Sequence, residues 1–149
     1  MSQTKEIGSS KLGFFSKPVL LTEGDHAGKV MKSYKFIKNR KICEELLTIH
    51  SEYVPQLEKS GIKIPKTEAE IVELNGKYSI RIYQEAFPAE TMARKMMQDG
   101  DLEQCLFVLN SVLDGAITEL NYLFDNPKEK MGFHPTLRNY AILDGEFWY

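Results

Sequence analysis

Apolar and polar residues alternate from Lys29 to Phe36, with Val30, Lys32, Tyr34 and Phe36 on one side and Met31, Ser33 and Lys35 on the other. A period of two predicts a strand. The period then changes. Ile42, Leu46, Ile49, Tyr53 and Leu57 recur every three or four residues, which predicts a helix from about Asn39 to Ser60, stopped by Gly61. Pro55 lies inside that pattern and is expected to kink the helix or end it early. Two β-prone runs, Thr67 to Leu74 and Tyr78 to Tyr83, flank Asn75-Gly76, the residue pair suited to a type I′ hairpin turn. Ala89 to Gln98 reads as a short helix carrying Met92, Met96 and Met97, a cluster expected to form adaptable core. The longest periodic stretch runs from Asp101 to Phe124. Asp101 followed by Gln104 resembles a capping box. Leu102, Leu106, Leu109, Leu113, Ile117, Leu120 and Phe124 form its stripe, widened by Cys105, Val112, Ala116 and Leu123, and the stripe is expected to be buried along most of its length.

The two ends are less periodic. Residues 1–11 read as a flexible leader. Leu12 to Phe15 and Pro18 to Leu21 read as a first strand with a break, and Thr22 to Gly28 as a turn. The glycines of that turn lack the G-x-G-x-x-G spacing of a phosphate loop. At the other end, a polar loop from Gly132 to Asn139 precedes a hairpin: Tyr140 to Leu143, Asp144-Gly145, then Glu146 to Tyr149. Strands gathered in the first half, helices in the second and a terminal hairpin define an α+β class with a mainly antiparallel sheet.

Composition narrows the function. With 19 Lys and Arg against 21 Asp and Glu, the chain has no basic field for nucleic acid. Lys29, Lys32, Lys35, Lys38, Arg40 and Lys41 form a local cluster that reads as a solvated face. No apolar run approaches the length of a membrane span, and Met1 to Ser10 lacks a signal-peptide core, so a cytoplasmic location is expected. Cys43 and Cys105 lie far apart on predicted helices and read as buried thiols.

Four residues are candidates for chemistry. Lys32 sits on an apolar strand face, where it either snorkels outward or aims its ammonium into a cleft. Glu45 lies at the edge of the first helical stripe. His134 and Asn139 occupy the loop before the last hairpin, where Asn139 either orders the loop by bonding its backbone or offers an oxygen to a metal.

This order of elements resembles the protein-kinase-like fold, in particular the bacterial branches related to aminoglycoside phosphotransferases. The strand holding V-M-K resembles the third strand of that family's N-lobe, with Lys32 at the phosphate-binding lysine. The next helix resembles the one whose glutamate pairs with that lysine; Glu45 is the first candidate and Glu52 the second. The Asn75-Gly76 hairpin matches the fourth and fifth strands, and Gln84 to Phe87 the hinge that meets adenine. The sequence H-P-T-L-R-N resembles the H-x-D-x-x-x-x-N loop, with Asn139 at the magnesium-binding asparagine and His134 where the family has its catalytic aspartate. The resemblance implies an N-lobe over residues 12–87, with one helix packed on the sheet, and a mostly helical partial C-lobe over 88–149. It implies ATP and Mg²⁺ as ligands, and a chain truncated before the family's metal-binding aspartate, hence inactive as given. The alternative is a non-catalytic, pseudokinase-like interaction module that binds a protein partner or self-associates. Neither reading involves nucleic acid or a membrane.

Overall fold

In the computed structural model, residues 4–6, 18–129, 132 and 136–149 are described. They form, in order, β1 (Thr4–Glu6), β2 (Val19–Leu21), β3 (Lys29–Ser33), α1 (Arg40–Lys59), β4 (Thr67–Leu74), β5 (Lys77–Glu85), α2 (Ala93–Asp99), α3 (Leu102–Asp125), β6 (Ala141–Leu143) and β7 (Glu146–Trp148). This is an α+β protein with an antiparallel sheet and a C-terminal hairpin. The chain divides into two compact units, Met1–Ser51 with Lys66–Ala86, and Glu52–Pro65 with Phe87–Tyr149. No helix among the described residues is long and apolar enough to cross a membrane.

The first unit is a five-stranded sheet in the order β1-β2-β3-β5-β4, antiparallel throughout. Its register is set locally at the β4–β5 turn. Asn75 (φ 51°) and Gly76 (φ 68°) both take the positive φ that a type I′ turn requires, so Leu74 pairs with Lys77. Thr4–Glu6, read from sequence as leader, is instead the edge strand β1, paired with β2 through Lys5 and Leu20. The expected strand at Leu12 to Phe15 lies outside the described residues.

Asn39 caps α1, its side-chain oxygen accepting from the Lys41 N–H at 3.0 Å. Ile80 and Ile82 of β5 and Cys43 of α1 form the buried core of this unit, joined by Leu46, Leu47, Ala69 and Ile71. The face of α1 that packs differs from the one expected. Ile42 and Ile49 are exposed, whereas Cys43 is buried and Leu46, Leu47 and His50 are partly buried. Cys43 and His50 extend an apolar line that a rule counting only large aliphatics misses. The helix also runs through Pro55 to Lys59 instead of ending early. The Ser51 carbonyl, deprived of its donor, belongs to an exposed residue that solvent can reach.

In the second unit, α1 ends in a Schellman motif. The Ile62 N–H bonds to the Leu57 carbonyl at 3.2 Å and the Gly61 N–H to the Glu58 carbonyl at 3.0 Å, while Leu57 and Ile62 are both buried. Gly61 has φ 91°, and a Cβ there would lie 3.3 Å from Thr118 Cγ2. Gly61→Ala is therefore expected to cost about 1–2 kcal/mol. Urea unfolding checks this, and an unchanged midpoint would contradict the motif's role.

Asp101 caps α3, accepting from the Gln104 N–H at 2.9 Å. The core here consists of Ala93, Val108, Val112, Tyr140 and Ile142, with Met96, Met97 and Phe147 against it. The methionines thus serve as core, as their chemistry suggested. Of the stripe expected to be buried on α3, only the widening residues are covered, Val112 fully and Cys105, Ala116 and Leu123 in part. Leu102, Leu106, Leu109, Leu113, Ile117, Leu120 and Phe124 are between 42% and 88% exposed, and α3 instead buries Val108, Val112, Gly115 and Glu119. The reason is close approach. A Cβ on Gly115 would stand 2.4 Å from Phe147 Cε1, so only a glycine lets this aromatic ring of β7 reach the helix. Burial raises the Glu119 pKa on that face.

Candidate functional site around Lys32

Pairing in the sheet determines which side chains share a face. Lys32 lies opposite Ile82, which pairs in turn with Ala69; Val30 lies opposite Gln84, which pairs with Thr67. Side chains two apart on a strand share a face. Lys32, Gln84 and Thr67 therefore sit on the same face as Ile80 and Ile82, the face packed by Cys43, Leu46 and Leu47 of α1. The alternation read from sequence placed Lys32 beside Val30 and Tyr34, and the structure adds that this side is the apolar one.

The Lys32 ammonium donates to Gln84 Oε1 at 2.5 Å, and Gln84 Nε2 donates to Thr67 Oγ1 at 3.2 Å. Burial lowers the Lys32 pKa, since a low-dielectric site disfavours the charged form. His50 on α1 is lowered too, first by burial and then by the positive charge of Lys32. The site is thus a partly buried lysine with a neutral amide as partner and an imidazole within its field.

The opposite face shows what a neutralised lysine looks like. Lys29 Nζ lies 2.7 Å from Glu68 Oε1, and His26 Nδ1 lies 3.7 Å from Glu68 Oε2. His26 stacks on Tyr83, with ring centroids 3.8 Å apart, and the Tyr83 hydroxyl donates to Glu70 at 2.6 Å. In the second unit Lys63 is paired with Glu146. None of the ion pairs among the described residues includes Lys32.

The other candidates fall elsewhere. Glu45 is exposed and lies 4.0 Å from Lys41 on its own helix, so the expected pair with Lys32 is not formed. Two residues along a helix turn a side chain by about 200°, so burying Cys43 sends Glu45 to the far side of α1. Glu52 is likewise exposed. Asn139 ends a 3₁₀ turn, Leu137–Asn139, is exposed, and donates its N–H to the Thr136 carbonyl at 2.9 Å. His134 lies outside the described residues. Among the described residues no group of three His, Cys, Asp or Glu side chains converges to hold a metal. Hard cations prefer carboxylate oxygens, and Asn139 supplies one neutral oxygen. The described donor set therefore does not make a magnesium site.

Sequence reasoning missed His50, and it read Gln84 as the start of a hinge and not as the partner of Lys32. The signal for His50 was its place seven residues after Cys43, on the same helical line. Gln84 was detectable only through the strand register.

The fold and site define an α+β protein whose five-stranded sheet carries a partly buried lysine that joins no ion pair among the described residues. The chain matches the model of the "Family of unknown function (DUF6206)" over residues 2–149, and so belongs to that family. No curated protein and no solved structure matches it.

Proposed function

We propose that this protein is kinase-like and binds the phosphates of a nucleotide such as ATP at Lys32. The observation that carries the reading is an ammonium on an apolar sheet face with no carboxylate partner among the described ion pairs. Such a charge is poorly solvated and gains most from an incoming anion. Gln84 takes one of its three N–H donors and holds the ammonium in place. The element order supports the kinase-like resemblance. Lys32 is on the third strand, α1 follows, and the fourth and fifth strands form the next hairpin. Glu45 does not act on the lysine in this arrangement. Phosphate binding needs only Lys32 and its neighbours, and no step is assigned to a metal.

His50 serves as a reporter. A phosphate beside Lys32 offsets the positive charge that lowers the His50 pKa. ATP at tenfold its dissociation constant should stabilise the fold by about 1.4 kcal/mol, a shift of several degrees in Tm. The His50 imidazole NMR signal should titrate at higher pH in the same samples. Inorganic phosphate run alongside distinguishes recognition of a bare anion from recognition of a nucleotide. Absence of both the Tm shift and the His50 shift at millimolar ATP would refute the proposal.

A further inference from the structure

The exposed stripe of α3 is continuous. Its seven apolar residues are spaced four, three, four, four, three and four residues apart, from Leu102 to Phe124. That spacing stays close to the turn of a straight helix, so the stripe runs along the helix for about 33 Å. At its observed exposure it offers on the order of 600 Å² of apolar surface. That is at or above the largest patch of an ordinary monomer. A helix laid along it removes about 1,200 Å² in total, the lower bound of a specific interface.

Charge narrows the occupant. Glu103, Asp114 and Asp125 stand eleven residues apart, in one row along one edge of the stripe, and all three are exposed. No Lys or Arg occurs anywhere in α3. No ion pair among the described residues engages any of the three acids. Asp125 in particular lies at the helix C-terminus, where a negative charge opposes the helix dipole. It does nothing for α3 itself. A second α3 brings only more acid to the seam. An anionic membrane repels the row, since helices that lie on membranes carry Lys and Arg on their polar side.

We propose that this face of α3 docks an amphipathic helix of another polypeptide, one carrying an apolar stripe bordered by a row of Lys or Arg. Leu113 and Ile117 sit at the middle of the contact, and Glu103, Asp114 and Asp125 set orientation and register by pairing with the basic row. This surface is independent of Lys32.

The test uses the full chain and a labelled synthetic helix as long as the stripe, with leucines at the matching spacing and lysines along one edge. A control peptide replaces those lysines by glutamates. By fluorescence anisotropy at low salt, the lysine peptide should bind at least about tenfold more tightly than the glutamate peptide. The triple variant Glu103→Lys, Asp114→Lys, Asp125→Lys should invert that preference. Leu113→Glu with Ile117→Glu should abolish binding at unchanged Tm, because both positions are exposed. Equal binding of the two peptides, or no binding, overturns the proposal. So does a dimer in light scattering that this double variant dissolves, which assigns the face to a second copy. Binding to anionic vesicles that depends on the stripe assigns it to lipid and overturns the proposal as well.

Discussion

Truncating Tyr140 to alanine should cost about 3–5 kcal/mol, a large part of the stability of an ordinary domain. Tyr140 is 0% exposed. Its ring packs in the cluster of Ala93, Val108, Val112 and Ile142, with its centroid 4.6 Å from that of Phe147 and 5.5 Å from that of Tyr149. Its carbonyl accepts the Ala93 N–H at 2.9 Å, tying the start of α2 to the start of β6. Removing the ring leaves a void between a helix and a hairpin, neither of which collapses easily, because Gly115 already lets Phe147 approach as closely as it can. Burial, followed by the nearby Tyr149, Glu119 and Tyr53, holds the Tyr140 phenol well above its ordinary range. Urea unfolding of Tyr140→Ala, with Tyr140→Phe as the variant that keeps the ring, measures the packing loss. A midpoint shift of less than about 1 kcal/mol for the alanine variant would show that the cluster is not a core.

Lys32→Met should have the opposite sign on stability. Methionine keeps the length of the stem and removes the buried charge, so the variant should gain about 1 kcal/mol at neutral pH. The gain should depend on pH in a defined direction. The folded state depresses the lysine pKa, so between that lowered value and 10.5 the unfolded chain holds more protons. Wild-type stability therefore rises with pH across that window, whereas the variant lacks this rise. A second consequence appears near neutrality. His50 is lowered partly by Lys32, and in Lys32→Met its pKa should move back up toward 6.5. Its own linkage runs the same way. The neutral imidazole is the form the fold prefers, so wild-type stability falls as the pH drops through 6.5 toward the lowered value. The same substitution should erase the Tm shift with ATP. A destabilised variant that still responds to ATP would contradict both the strain on Lys32 and its assigned role.

Elements bounded by local chemistry were readable from residues alone. Asn75-Gly76 and Asp144-Gly145 marked both two-residue turns, and all four residues adopt positive φ. Asn39, Gly61 and Asp101 marked helix ends within a residue of where they fall. The orientation of the helices was not readable. In α3 the leucines form the more conspicuous line, but the buried line contains Gly115 and Glu119, residues that a hydrophobicity rule counts against burial. In α1 the buried line contains Cys43 and His50 in place of Ile42 and Ile49. That rotation alone removed Glu45 from the site. Which face packs is decided by what lies opposite, and that information is spread over distant segments. Lys32 was legible because period two in a strand leaves only two faces to choose between. Its partner Gln84 was not, because it stands 52 residues away.

The position of β5 also has a consequence for how the chain reaches this state. Among the described strands of the sheet, β5 alone is paired on one side with a neighbour two residues away and on the other with one far upstream, since Leu74 pairs with Lys77 whereas Lys29 pairs with Glu85. The hairpin of β4 and β5 closes in microseconds, while β3 must first overcome the entropy of a loop of about fifty residues. Folding is therefore expected to nucleate at Asn75-Gly76. A substitution that spoils this turn, such as Gly76→Val, should mainly slow refolding, whereas Met31→Ala in β3 should mainly hasten unfolding. The two limbs of a denaturant chevron separate these effects.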